Sequence, residues 1–258
     1  MKGARGRLES LWGAVPVVVF LAVWELVGRL NLFPGQFHFP PFSGVLGEFY
    51  RLMANGVLGD NLLSSLRRVL IGLAAGSVAG IAMGTLMGSR EVFHKALNPI
   101  ISMLYPIPAL GWLPLLMLWI GINEMLPVAV IFICSFFPVV YNTVTGIRNV
   151  DRKYIQAAEM LGASNLRILF RVVLPLALPN IFTGLKLEAG MSWRVLIAAE
   201  MVAIPTGIGA LLIKAENLVR VDIIMVCLIV LAAMCLLFEK TFSFLERCCV
   251  DRWSQPAR

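Results

Sequence analysis

Apolar residues are gathered along this chain into six long runs: Trp12–Leu30, Val69–Met87, Ala96–Ile120, Leu126–Ile147, Leu178–Ala203 and Ile223–Leu245. A helix needs about 20 mostly apolar residues to cross a hydrocarbon core, so the pattern predicts six membrane-spanning helices. The first run follows Lys2, Arg5 and Arg7, as the core of a secretion signal does. No small-residue cleavage site comes after it and further spans do, which predicts an uncleaved first helix. The third run is interrupted by Pro106, Pro108, Gly111 and Pro114. Such breaks persist at membrane depth where protein or a water-filled cavity satisfies the freed backbone groups. The stretch is therefore either a candidate pathway wall or a kinked packing helix.

Within the second run, Gly72, Gly76, Gly80, Gly84 and Gly88 recur every four residues. That spacing keeps them on one helix face, and a face of small residues lets a neighbouring helix approach backbone to backbone. The neighbour is either in the same chain or in a second copy. Between the first two runs, Asn31–Leu66 contains Pro34, Pro40 and Pro41. After them Val45, Leu46, Phe49, Tyr50 and Met53 recur at helical spacing. This predicts an amphipathic helix over Ser43–Met53, lying on the outer membrane surface or packed on neighbouring spans.

The longest polar connection joins the fourth and fifth runs, from Arg148 to Pro175. Tyr154-Ile-Gln-Ala-Ala-Glu-Met-Leu-Gly162 predicts a helix ended by glycine. A second short helix over Leu166–Val173 is expected, capped by Ser164 or Asn165 and ended by Pro175. The loop contains no Cys/His cluster, catalytic dyad or phosphate-cradling glycines, so its shape suits docking on a partner. Gly162 permits a sharp turn or a close approach; an ordinary C-cap glycine is the plainer alternative.

Composition agrees with a chain solvated by lipid: 59% of residues are hydrophobic, 14% are charged, and mean hydropathy is +0.84. The net charge of +7 sits between the apolar runs, as juxtamembrane charges do, and not in a nucleic-acid-binding patch. With both termini placed in the cytoplasm, fourteen Lys and Arg fall inside and six outside, with Lys186 and Arg194 left in the fifth span. The outside set includes Arg67 and Arg68. This N-in, C-in arrangement satisfies the positive-inside rule. Cys134, Cys227, Cys235, Cys248 and Cys249 show no metal or redox spacing. One transmembrane domain over 1–258 is expected, with a cytoplasmic loop at about 148–176.

The loop carries a resemblance. Gln156-Ala157-Ala158, three residues, Gly162, nine residues, Val172-Val173-Leu174-Pro175 resembles the "EAA" loop of ABC importer permeases. That loop reads Glu-Ala-Ala, three residues, Gly, nine residues, Ile, any residue, Leu-Pro. Every spacing matches; only the first and the Ile positions differ, and Gln156 lacks the carboxylate of the usual Glu. The resemblance implies an all-α, six-helix, type I importer permease fold in a bacterial inner membrane. It further implies that Gln156, Ala157, Ala158, Glu159, Leu161, Gly162 and Ala163, with Leu174 and Pro175 behind them, form the helix that couples to a separate ATPase subunit. Other stretches are similar to the nitrate/sulfonate/taurine-type branch: Pro106-Ile-Pro-Ala-Leu-Gly-Trp-Leu-Pro114, Leu118-Trp-Ile-Gly-Ile-Asn123, Trp193-Arg-Val-Leu-Ile-Ala-Ala-Glu-Met201 and Thr206-Gly-Ile-Gly209. The expected partners are ABC ATPase subunits, a periplasmic or lipid-anchored substrate-binding protein, a second permease copy in a homodimer, and membrane lipid. ATP and Mg would be used by the partner ATPase, because GxxxxGK[ST] does not occur in this chain. No cofactor, metal or catalytic residue is expected.

The fifth run holds Lys186, Glu188, Arg194 and Glu200. Charges at membrane depth are costly unless paired or hydrated. Lys186, Trp193 and Glu200 lie seven residues apart, nearly on one stripe, which is a candidate wall of the path or a dimer interface. Arg194 would attract an anionic substrate there; alternatively it makes a structural pair. Pro106, Pro108 and Asn142 join Trp193, Arg194 and Glu200 as candidate path residues. An autonomous secondary transporter or channel is the competing class, but no internal repeat relates the two halves. A membrane enzyme is disfavoured, since His38 and His94 both lie outside the span cores.

Overall fold

The computed structural model describes the backbone of residues 2–30 and 39–254, with side chains for 15–30 and 39–249. Expectations resting on Lys2, Arg5, Arg7, Pro34, His38, Arg252 and Arg258 lie outside those described side chains. In chain order the helices are α1 (Lys2–Leu30), α2 (Phe42–Ala54), α3 (Val57–Ser89), α4 (Glu91–Leu104), α5 (Leu113–Ile120) and α6 (Met125–Arg148). They are followed by α7 (Arg152–Met160), α8 (Asn165–Ile168), α9 (Leu174–Ala203), α10 (Ile208–Asn217) and α11 (Val221–Ser254). A 3₁₀ turn, Ala109–Trp112, precedes α5, and a π-helical turn, Leu169–Val173, joins α8 to α9.

Among the described residues four helical stretches are long and apolar enough to cross a membrane: Val57–Ser89, Met125–Arg148, Asn165–Ala203 and Val221–Cys249. Glu91–Leu104 and Ala109–Ile120, bent by 89°, make a fifth crossing if they count as one broken span. The expected first span, Trp12–Leu30, lies wholly within α1. The bend falls where Pro106 and Pro108 deny the backbone its helical donors. Both prolines are exposed, and Pro114 occupies the first turn of α5, where its missing N–H costs nothing.

The glycine stripe of α3 lies against α6 of the same chain. A Cβ added at Gly72 would come within 2.7 Å of the Ile131 Cβ, at Gly80 within 2.9 Å of the Val139 Cβ, and at Gly88 within 2.8 Å of the Ile147 Cβ. At Gly76 it would overlap the Ser135 hydroxyl. On its other side α6 meets α9 through the same device. Gly184 of α9 has Asn142 against it, and Gly146 of α6 faces Ala177 and Asn180. α6 is thus the centre of the bundle, and α11 packs on α9 through Trp193 and Phe238, whose rings meet edge to face at 5.4 Å.

Three expectations need correction. α2 does pack on neighbouring helices, but its inner face is Val45, Glu48 and Leu52, whereas Leu46, Tyr50 and Met53 are exposed. Val45 and Phe49 of the expected stripe do pack on the core, and Glu48 is held beside them by Arg51 and Arg220. Arg67 and Arg68 are not loop residues, because α3 begins ten residues earlier than Arg67, at Val57. Pro175 does not end a helix: α8, the π turn and α9 run on without a break. Proline lacks an N–H and its ring presses on the carbonyl one turn earlier. Widening that turn to i→i+5 bonding over Leu169–Val173 lets the helix pass.

The α3–α6 contact predicts that Gly80→Leu lowers thermal stability by about 1–3 kcal/mol through overpacking. Gly47→Ala in α2, where an added Cβ meets nothing within 4 Å, is expected to leave stability unchanged or raised by about 0.5–1 kcal/mol. Thiol-dye unfolding curves of the detergent-solubilised chain would compare the two. Equal effects at both positions would contradict the account.

Candidate functional site

At one end of the bundle, α7 rests one face on the ends of α6 and α9, with none of its residues fully buried. Asp151 caps it by accepting from the Lys153 backbone N–H at 3.0 Å, while Lys153 Nζ lies 2.6 Å from the same carboxylate. That side-chain hydrogen bond, with the backbone one, holds the Asp151 carboxyl below the usual carboxylate range. The cap is therefore fully effective above that range and fades as pH falls through the lowered value. Gly162 closes the helix at φ +76°, with its N–H bonded to the Glu159 carbonyl (2.9 Å) and the Ala163 N–H bonded to the Ala158 carbonyl (3.0 Å). This is the hydrogen-bond pattern of a Schellman turn, and Ala158 and Ala163 on either side of it pack on one apolar cluster. Nothing lies within 4 Å of a Cβ built on Gly162, so glycine is required there by φ and not by crowding.

The two faces of this helix–turn–helix differ. Ile155, Ala158 and Ala163 turn inward onto Ile147, Ile168 and Val173, and Leu174 packs on the same cluster beside Pro175. Gln156, Ala157 and Glu159 face outward with Met160 and Leu161, whose exposures are 89% and 88%. Tyr154, Leu166 and Phe170 extend this apolar surface. Arg148, at the end of α6, is tied to Glu91 at the start of α4 by a 2.9 Å ion pair. α7 is thus packed on the ends of α6 and α9, and α6 is in turn tied to the start of α4.

The opposite end of α9 carries an ion-pair network. Glu200 is 0% exposed and Arg68 is 4% exposed, and Arg68 Nη1 donates to Glu200 Oε1 at 2.6 Å. The Ser65 hydroxyl donates to the same carboxylate at 2.8 Å, and the Gly209 N–H does so at 2.9 Å. Arg68 also bonds Glu124 and both the carbonyl and hydroxyl of Thr206. The turn Thr206–Gly209 wraps the carboxylate closely. Gly207 sits at φ +109°, and any Cβ there would strike Glu200. The first amides of α10 thus supply donors and positive dipole to a buried anion. One charge pair joins α3, α9, α10 and the α5–α6 connection.

The residues proposed for a pathway do not gather in one place. Glu200 belongs to that closed network. Trp193 is buried against Val69 and Phe238. Asn142 is spent between Gly184 and the Pro138 carbonyl, to which it donates at 2.9 Å. The seven-residue stripe is not one open wall, because Trp193 and Glu200 are buried and Lys186 alone of the three lines a cavity. Pro106 and Pro108 are exposed at the bend, near Tyr105 and Tyr141, whose rings stack at 5.5 Å. Arg194 is exposed and lines a cavity with Lys186. Glu188 is buried in the bundle and accepts from the Cys134 thiol at 3.2 Å. Among the described residues no group of three or more His, Cys, Asp or Glu could hold a metal ion.

Sequence reasoning missed Arg68 and Ser65. A signal was present, because Arg68 stands four residues before Gly72 and so extends the glycine stripe toward the bundle interior.

The comparisons with known proteins agree with this architecture. The family described as binding-protein-dependent transport system inner membrane component matches residues 76–248. The chain is 34% identical over 236 residues to the taurine transport system permease protein TauC of Escherichia coli, covering 90% of this chain and 86% of that protein. It is 34% identical over 244 residues to the nitrate import permease protein NrtB of Synechocystis, with the same two coverages. Among solved structures, the inward-facing MetNI methionine ABC transporter superposes with a TM-score of 0.61 at 15% identity, over 72% of this chain and 93% of that one. That likeness shows a shared type I importer permease fold.

Removing Arg68 strands the buried Glu200 carboxylate, whereas removing Glu200 leaves Arg68 its contact with Glu124. Arg68→Gln is expected to cost about 3–5 kcal/mol and Glu200→Gln less. The double variant should cost clearly less than their sum, because neither charge is then left alone. A double-mutant cycle on thermal unfolding measures this, and simple additivity would contradict the coupling.

Proposed function

Since this chain belongs to the family of binding-protein-dependent transport system inner membrane components, and so is a permease component of an ABC importer, we propose that α7 and the Gly162 turn are its docking point for a separate ATPase. The observation that carries this is the exposed apolar tip of Tyr154, Met160, Leu161 and Leu166 on an otherwise polar loop. Such a surface on the aqueous side of a membrane protein calls for a partner. The Schellman turn and the cluster beneath it make the tip rigid, so force applied there reaches α6 and α9 instead of bending the loop. ATP and Mg are handled by that partner, because this chain carries no phosphate-binding loop. It has no enzymatic role of its own.

The same reading places the α7 end and both termini in the cytoplasm of a cell with an inner membrane, where the positive-inside rule puts most Lys and Arg. The Arg68–Glu200 end then faces outward, where a substrate-binding protein delivers cargo. A second copy of the chain completes the path by alternating access, and the exposed Pro106–Pro108 bend is a natural part of its wall. The relatives named for taurine and nitrate support a small oxoanion-bearing cargo for this chain.

Met160→Glu and Leu161→Glu change side chains that are almost fully exposed, so each should alter stability by less than about 0.5 kcal/mol. Co-expressed with an ATPase encoded beside this chain, each variant is expected to lose at least about tenfold of the ATPase recovered with the permease, the cost of burying an unpaired carboxylate in an apolar contact. Undiminished recovery from either variant would reject α7 as the docking helix.

A further inference from the structure

The turn between α10 and α11 repeats the plan of the Gly162 turn at the opposite end of the molecule. The Val219 N–H bonds the Glu216 carbonyl at 2.9 Å and the Arg220 N–H bonds the Ala215 carbonyl at 2.8 Å, the Schellman pattern again. Val219 occupies the left-handed position, at φ +55°. Among the described residues every other positive φ belongs to glycine: Gly56, Gly121, Gly162 and Gly207. A β-branched side chain is poorly suited to that region, because its Cβ crowds the following carbonyl. Where only the path of the backbone matters, this chain places glycine. At 219 it keeps a side chain at a cost in stability.

That side chain gains little inside the molecule, since Val219 is 53% exposed and Leu218 beside it 72%. The surround is rigid. The Arg220 guanidinium forks onto Asp222, with Nε to Oδ1 at 2.9 Å and Nη2 to Oδ2 at 2.6 Å, and reaches Glu48 of α2 at 3.1 Å. Beneath the turn, Leu211, Ala215 and Ile223 pack with Val45 and Leu52 of α2. Lys214, Glu216 and Asn217, all exposed, flank the tip on one side, and Arg220 and Asp222 flank it on the other. So many charges keep the tip out of hydrocarbon. Backbone strain that the surround holds in place, under an exposed apolar pair, points to a contact made by those two side chains.

We propose that Leu218 and Val219 form a docking contact for the soluble substrate-binding protein, seated in an apolar recess on its surface. This inference rests on the permease reading, which puts the α10–α11 turn on the outer side, and it names residues at which that partner is met. The family is binding-protein-dependent, so a water-borne partner has to meet the chain on that side. The α7 tip has the same construction, with Met160 and Leu161 exposed just ahead of the left-handed residue. Each face of the membrane then carries one rigid apolar tip for one soluble partner.

The test uses the full chain with its ATPase in nanodiscs, and titrates it with the binding protein encoded beside this chain. Val219→Gly removes the strain together with the side chain. It is expected to raise the unfolding midpoint by about 2–4 °C and to weaken capture of the binding protein about tenfold, the loss of one buried apolar side chain. Leu218→Ser should weaken capture to a similar degree while moving the midpoint by less than about 2 °C. ATPase recovery with each variant should equal that of wild type. A valine with only a structural role would give a more stable chain that binds as before, and undiminished capture by both variants overturns the docking contact. Loss of a second permease copy from the variants assigns the tip to an interface between copies and overturns it as well. So does a midpoint that falls in nanodiscs but not in detergent, which assigns the tip to lipid. A wild-type complex that holds its ATPase but captures no binding protein overturns the contact and leaves the α7 reading standing. A wild-type chain that recruits no ATPase overturns the permease reading itself.

Discussion

Close backbone approach on both sides of α6 is the constraint from which the rest of this structure follows. In lipid, apolar burial gives no preference for one helix neighbour over another, so packing has to come from shape. The glycines of α3 on one flank, and Gly146 with Gly184 on the other, bring three helices near enough for their main chains to touch side chains directly. A ridge of Cβ atoms at any of these positions would push α3 or α9 away. The buried polar groups at one end would then lose their partners.

Those polar groups are the second consequence. Arg68 and Glu200 are placed where desolvation is severe, and the pair is tolerated because it is fully hydrogen-bonded by Ser65, Thr206 and the amides at the start of α10. The network therefore acts as a rigid fastening at one end of α9. About 40 Å away along the same helix, at 1.5 Å per residue, α7 presents an apolar tip fixed by a Schellman turn. A stiff α9, locked at one end and levered at the other, is suited to carrying motion between the two faces of a membrane.

Much of this was legible in the sequence, for definite reasons. The six apolar runs mark helices because crossing hydrocarbon demands length and leaves few polar positions. The four-residue glycine spacing marked a contact face, and the Gln156–Pro175 stretch marked a helix closed by a glycine turn. Other features depended on contacts distant in the chain. The partner of Glu200 lies 132 residues away, so no local pattern in α9 could separate a closed network from an open pathway. The inner face of α2 was only partly legible, because Glu48 is recruited by Arg220, a residue more than 150 positions on. Pro175 reads as a helix stop by local rules, and only the π turn before it shows how the chain continues.

The central claim is that this chain forms a transport path driven by a separate ATPase acting through α7. Uptake into proteoliposomes tests it most directly. The chain is reconstituted alone, and again with its ATPase and binding protein, with labelled 2-aminoethanesulfonate outside and ATP or its non-hydrolysable analogue on the ATPase side. The account predicts accumulation only when all three components and hydrolysable ATP are present. Uptake by the chain alone, driven by an ion gradient and indifferent to ATP, would contradict it and identify an autonomous transporter.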